Sequence, residues 1–375
     1  MKILIDARLY GLENAGLGRY LINLISSLQK LDKKNKYVII LRKKYFNELN
    51  LNSNFKKVLF DKGHYSFSEQ FKFPAIVRKE NPDLIHYPHF NVSIFSNKPF
   101  MVTIHDLLMH KQKGKEATTL PMPIYLFKRI FYKFIFNFAI KKSVKIIVPS
   151  NYVKKEILDY YHISEDKISV CYEGVSFNEE HNQDPSAFLK KNKIKSPYLL
   201  YVGNAYPHKN LKKAIKAISS LQKKRKINFV IVSARSVFFE RLNKFIENNN
   251  YSDFVKVLSF VPDSDLMILY KKSEGFLYPS ISEGFGLQGL EAMTQKTPCV
   301  VSNIEAFKEI YKDNAIYFDP ADIKSISSAI ERLFGFDISQ REEIVAKAYK
   351  FAKNYSWDKM AKQILKIYED SFSLR

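Results

Sequence analysis

The chain has 375 residues, 46% of them apolar and 26% charged, which suits two packed cores and excludes both a disulfide-stapled miniprotein and a disordered chain. Lys and Arg number 60 against 38 Asp and Glu, a net charge of +22 that favours an anionic partner such as a nucleotide, nucleic acid or anionic lipid surface; Lys-rich genome composition would produce the same excess. Cys171 and Cys299 lie in apolar segments and read as buried free thiols of a reducing compartment, with the cytoplasm as the default. Only three apolar residues separate Lys2 from Asp6, which is not a signal peptide, and the apolar stretch 121–140 is broken by Lys128, Arg129 and Lys133, so a soluble or peripheral protein is expected.

Aliphatic and β-branched runs predict strands at Ile3 to Asp6, Tyr37 to Leu41, Leu84 to Tyr87, Met101 to Ile104 and Lys145 to Val148. Between the first two, Tyr20, Leu21, Leu24, Ile25, Leu28 and Leu31 recur at helical spacing and predict a helix from Arg19 to Leu31. A polar, Pro-containing stretch from Phe177 to Pro197 reads as an inter-domain linker. The rhythm then restarts, with strands at Tyr198 to Val202, Phe229 to Val232, Val255 to Leu258, Gly275 to Tyr278 and Pro298 to Val301, a helix from Leu211 to Leu221 and another after Gly286. This alternation predicts an α/β protein of two Rossmann-like, doubly wound domains, with ligands beyond the carboxyl ends of the strands.

Three strand ends carry glycines or charge. After the first strand, Gly16 and Gly18 precede the expected helix and would admit a phosphate or sugar close to the backbone; the spacing is not a full dinucleotide fingerprint, and a plain tight turn explains it as well. Tyr201-Val202-Gly203-Asn204 leads to Lys209, placed to meet a diphosphate, and to Asn210, a ready helix cap. Ser282-Glu283-Gly284-Phe285-Gly286-Leu287 turns from a strand into a helix whose free N–H groups offer an anion site, flanked by Glu283 and Glu291.

These three segments resemble the retaining glycosyltransferases of family 4, of the GT-B fold, in which two Rossmann-like domains face a central cleft. His105-Asp106, Val148-Pro149-Ser150, Tyr172-Glu173-Gly174-Val175, Thr297 to Asn303 and Phe318-Asp319-Pro320 extend the resemblance over nearly the whole chain. It implies an acceptor-binding domain over residues 1–180, joined by a C-terminal helix of about 357–375, and a nucleotide-sugar-binding domain over 197–356. The implied reaction moves a hexosyl group with retention from a nucleoside-diphosphate sugar, GDP-mannose or a UDP-hexose, to a saccharide or lipid-linked acceptor in polysaccharide or glycolipid assembly. In this resemblance Lys209 neutralises the leaving phosphate, Glu283 lies near the donor sugar, His105 contacts the transferred sugar and Glu291 holds the ribose. Gly286, Leu287 and the neighbouring Phe285 border the diphosphate and sugar. No metal or other cofactor is implied. Asn204 stands where many members have Arg, and Gln288 where many have Pro, which shifts diphosphate charge onto Lys209 and the helix N-terminus.

Asp263-Ser264-Asp265 imitates a metal-binding D-x-D, but its position before Leu266 fits an Asp helix cap with a second acid in the first turn. His86 and His89 have spacing that a metal could use, without an evident third ligand. The segment Lys111 to Lys145 holds nine Lys or Arg against one acid, with seven aromatics from Tyr125 to Phe138; a face resting on an anionic bilayer and a face packed in the core are both open readings. The rival functions are another GT-B enzyme, a phosphorylase or nucleotide-sugar epimerase, and a basic nucleic-acid-binding protein; the latter leaves the glycine-rich strand ends without work, and no nucleic-acid partner is expected.

Overall fold

The structure, a computed structural model, describes residues 1–111, 118, 120–176 and 184–373. Two compact units emerge. Unit 1 comprises Met1–Lys111, Leu120–Gly174 and Ser356–Arg375, and unit 2 contains Val175–Tyr355.

In unit 1, seven strands form one sheet: β1 (Lys2–Asp6), β2 (Lys36–Leu41), β3 (Phe55–Leu59), β4 (Leu84–Tyr87), β5 (Phe100–Thr103), β6 (Lys145–Val148) and β7 (Ile168–Val170). Every pairing is parallel, in the order β3-β2-β1-β4-β5-β6-β7, so the winding reverses between β1 and β4. Both faces of such a sheet are covered by helices, which is why β4 and β5 are buried along their whole length. The C-terminal helix Trp357–Ser373 packs on the helix Ala15–Leu31, tied by Ser27 Oγ donating to Asp358 Oδ1 at 2.6 Å.

In unit 2, β8 (Tyr198–Val202), β9 (Asn228–Val232), β10 (Val255–Leu258), β11 (Gly275–Tyr278), β12 (Cys299–Ser302) and β13 (Ile316–Phe318) form a second all-parallel sheet in the order β10-β9-β8-β11-β12-β13. Here the winding reverses between β8 and β11. The helix Leu211–Leu221 covers it with Leu211, Ala214, Ile215, Ala217, Ile218 and Leu221 buried, the apolar stripe expected from period 3.6.

Several sequence expectations are corrected. The first helix starts at Ala15, so Gly16 and Gly18 lie inside it, and Gly18 serves packing: a Cβ there would fall 1.8 Å from the Gly11 carbonyl oxygen. Three strands were not anticipated, β3, β7 and β13; the first carries two lysines and the other two have only three residues, so none shows a clear period. The chain passes from unit 1 to unit 2 at Gly174–Val175, ahead of the expected linker, whose helix Pro185–Lys191 belongs to unit 2; residues 177–183 of that linker lie outside the described residues.

Asn210 occupies the cap position in a left-handed conformation, where its side chain cannot reach back to the helix and donates instead to Pro320 O at 2.9 Å. Pro262, not Asp263, caps the helix Asp263–Lys272, so the two aspartates sit in its first turn, where they complement the macrodipole.

Candidate functional site

Both ends of the site in unit 2 rise from the strands that flank the winding reversal, where an open α/β sheet leaves a crevice. After β8 the chain runs through the half-buried Asn204 to a short 3-10 turn, Pro207–Lys209. After β11 it runs through Glu283 to Gly286. The two loops are fastened by Ile281 N donating to His208 O at 2.8 Å, and by Lys209 Nζ donating to Glu283 Oε1 at 2.5 Å.

That ion pair is nearly sheltered, with 12% and 13% of the two side chains exposed. Burial pushes the Glu283 carboxyl up, but the Lys209 charge and hydrogen bond outweigh it and hold the group below its ordinary range. Lys209 also lies 5.7 Å over the Tyr278 ring. Its neighbour His208 is buried, and desolvation beside the ammonium lowers its pKa to about 4, so the ring adds no charge near neutrality.

Gly286 turns the chain into the helix Leu287–Thr294 at φ 98°, a left-handed conformation that glycine adopts freely. A Cβ there would also fall 2.4 Å from the Tyr311 hydroxyl, which donates to the Gly286 carbonyl. Phe285 and Leu287 are buried on either side, so what this turn presents is backbone N–H groups at a helix N-terminus, with Lys209 at the paired loop: donors and a cation suited to a diphosphate. Glu291 stands half-buried one turn into the same helix. Gln288, beside them, accepts from the Tyr278 hydroxyl at 2.8 Å through Oε1.

In unit 1, His105 follows β5. Its Nδ1 meets Glu173 Oε1 at 3.1 Å and its Nε2 meets Pro88 O at 3.1 Å, while Tyr20 packs edge-on at 4.9 Å. Both polar partners are hydrogen-bond acceptors that fix the orientation of the ring. Gly16 and Gly18 lie in unit 1, whereas the remaining predicted donor-binding residues lie in unit 2. His86 is structural: fully buried, it bonds the Tyr368 hydroxyl at 2.6 Å and Thr103 Oγ1 at 2.8 Å.

One cluster escaped the sequence reading. Asp6 and Arg8, at and just past the end of β1, meet His64, Glu69 and Asn91. The signal was present in Ile-Asp-Ala-Arg, where charges end an apolar strand, but their partners are some 60 to 80 residues away and only the fold brings them in. Among the described residues, Asp6, His64 and Glu69 are the trio with ligand atoms close enough to one another to hold a metal ion, within 4.8 Å.

In the helix Met122–Lys142, Tyr132, Ile135, Phe136, Ala139 and Ile140 are core. Leu126, Phe127, Ile130 and Phe134 are exposed among Lys128 and Lys133, so the core-packed reading of the basic segment holds for only part of this helix; residues 112–117 and 119 lie outside the described residues. No helix among the described residues is long and apolar enough to cross a membrane.

Comparison with known proteins agrees in both units. Residues 15–179 match the family profile described as glycosyltransferase family 4, and residues 184–351 the one described as glycosyl transferases group 1. The chain is 28% identical over 305 residues to the O-antigen chain mannosyltransferase RfbU of Salmonella typhimurium, covering 80% of this chain and 77% of that protein. It is 32% identical over 174 residues to the O-antigen chain mannosyltransferase B of Escherichia coli, covering 46% and 45%. Among solved structures, a glycosyltransferase from Rickettsia africae superposes with a TM-score of 0.74 at 21% identity, over 99% of this chain and 98% of that one.

Proposed function

Since the chain belongs to glycosyltransferase family 4 and has the GT-B fold, we propose that it transfers a mannosyl group, with retention, from a nucleoside-diphosphate sugar to a saccharide or lipid-linked saccharide in O-antigen or related polysaccharide assembly. GDP-mannose is the leading donor and a UDP-hexose the alternative. The observation that carries the donor site is the sheltered Lys209–Glu283 pair beside the glycine-opened helix, at the winding reversal of unit 2.

In this reading the diphosphate lies on the N–H groups after Gly286, bordered by Phe285 and Leu287, and Lys209 turns from Glu283 to the leaving phosphate. Glu283 addresses the transferred sugar, Glu291 the ribose, and Asn204 borders the phosphates without charge. Charge building on the leaving oxygen is met by preorganised donors, each worth about 3 to 4 kcal/mol at the transition state, with no metal required. Gly16 remains a backbone approach point; Gly18 is filled by packing.

Calorimetric titration of GDP, UDP, ADP and dTDP in EDTA, repeated with Glu291→Ala, tests the assignment. It expects tight binding of one nucleotide that the substitution weakens at least tenfold. No binding of any nucleotide would refute it.

We also place the exposed end of the helix Met122–Lys142 against an anionic membrane surface, with Phe127, Ile130 and Phe134 in the interface and Lys128 and Lys133 at headgroups. Co-sedimentation with phosphatidylglycerol vesicles, lost in Phe127→Asp/Ile130→Asp, is the expected result; equal recovery with neutral vesicles would refute it.

A further inference from the structure

The winding reversal of unit 1, between β1 and β4, is the second place where this fold leaves a crevice. The Asp6 cluster sits there. Arg8 Nε donates to Asp6 Oδ1 at 2.7 Å, and its Nη2 donates to Asp6 Oδ2 at 2.6 Å and to Glu69 Oε1. Asn91 Nδ2 donates to the same Glu69 oxygen at 2.8 Å. Two carboxylates on one guanidinium leave the cluster one charge negative, in a chain of net charge +22. Arg42, a further cation near His64, is exposed and paired with Asp61.

Three features show that the cluster is incomplete. Glu69 is 2% exposed, yet its Oε2 has no hydrogen-bond partner, a costly state for a buried carboxylate oxygen. His64 Nε2 stands 3.9 Å from Asp6 Oδ2, too far for a direct hydrogen bond but the span that one oxygen atom bridges with two. Between Asp6, Leu17, Leu21, His64, His89 and Asn91 lies a recess of about 10 Å³, room for a single water-sized group. Burial keeps the His64 and His89 rings neutral, so they offer one donor or acceptor per nitrogen and no charge.

We infer that this recess seats one hydroxyl group of a neutral acceptor sugar, the hydroxyl donating to Asp6 Oδ2 and bonding His64 Nε2, and that it rejects a phosphorylated acceptor. The inference rests on the reading of the chain as a transferase to saccharides. A phosphate would place its charge against Asp6, which lines the recess, while Arg8, the cation beside it, is already bound to Asp6 and Glu69. For the same reason a divalent metal at Asp6, His64 and Glu69 would displace or crowd the guanidinium that does its electrostatic work.

The test is a ligand-observed NMR titration of the full chain with octyl glycosides of mannose, glucose, galactose, rhamnose and N-acetylglucosamine, with mannose 6-phosphate, and with Zn²⁺. GDP-mannose binding is measured in the same preparation as an independent reading of unit 2. At least one neutral glycoside is expected to bind, mannose 6-phosphate at least tenfold more weakly than the octyl mannoside. His64→Phe, which fills the recess, and His64→Asn, which shortens the polar group, should each weaken the neutral glycoside at least tenfold. Four outcomes would overturn the inference: no neutral glycoside binds; the phosphate ester binds as tightly; both variants, folded by circular dichroism, keep wild-type affinity; or Zn²⁺ binds stoichiometrically and is lost in them. Loss of GDP-mannose binding with glycoside binding intact would instead refute the donor assignment alone.

Discussion

Replacing Lys209 by alanine isolates the energetics of the buried pair. In the native chain burial raises the Glu283 carboxyl and Lys209 more than compensates, so its folded pKa lies below the unfolded value near 4.5. That contribution is present above pH 4.5 and is lost as pH falls through the folded value. In Lys209→Ala the largest cause opposing burial is gone, with the Ser280 hydrogen bond among the weaker ones left, and the folded pKa is expected to move above 4.5. The penalty is then absent below pH 4.5, grows as pH rises and is complete above the raised value. With only 12% and 13% of the two side chains exposed, removal of one partner should cost about 3 to 5 kcal/mol at neutral pH. The gap between the two proteins should therefore close on acidification, and adding Glu283→Gln to Lys209→Ala should recover most of the loss at pH 7. Hydrogen-exchange mass spectrometry on peptides covering β8 and β11 reads the opening of unit 2 without interference from unit 1. A gap that stays constant between pH 5 and 7.5, or no recovery in the double variant, would refute the reasoning.

Three further expectations follow from burial. His86, its pKa lowered to about 3 by burial, is neutral in the fold and protonates on unfolding, so its stabilisation is complete above pH 6.5 and is lost as pH falls toward 3, on the order of 5 kcal/mol in all. Acid unfolding followed by Trp357 fluorescence, which reports on unit 1, should be shallower in His86→Gln; an unchanged profile would assign the acid limb elsewhere. Gly18→Ala must push the Gly11 carbonyl aside and should lose about 1 to 3 kcal/mol or more in urea unfolding, whereas Gly16→Ala meets nothing within 4 Å and should be neutral or gain up to about 1 kcal/mol of helix propensity; equal effects would contradict the packing described. Cys171 and Cys299 are buried and their thiols pushed up, so both should react with an aromatic disulfide reagent only on unfolding, and rapid labelling of the native chain would count against that burial.

Local pattern alone determined a good deal. The strand runs at β4, β6, β8, β10 and β11 and the helix Leu211–Leu221 are legible to the residue, because parallel strands covered by helices are short aliphatic runs, even at the half-buried edge strand β10, and a one-sided helix shows its period. The glycine-opened helix after β11 and the candidates Lys209, Glu283 and Glu291 were also visible, since positive φ and a helix N-terminus are local properties. Other features needed the tertiary structure. Gly18 reads locally as a ligand contact, but the Gly11 carbonyl leaves no room for a side chain there, and Asn210 reads locally as a cap, but its left-handed backbone turns its amide to Pro320. Lys209 and Glu283, 74 residues apart, become a pair only because β8 and β11 are neighbours at the winding reversal. The Asp6–Arg8–Glu69 cluster belongs to the same class: buried charge is tolerable only with a partner, and which partner reaches it is decided by strand order, a long-range property that no window of sequence contains.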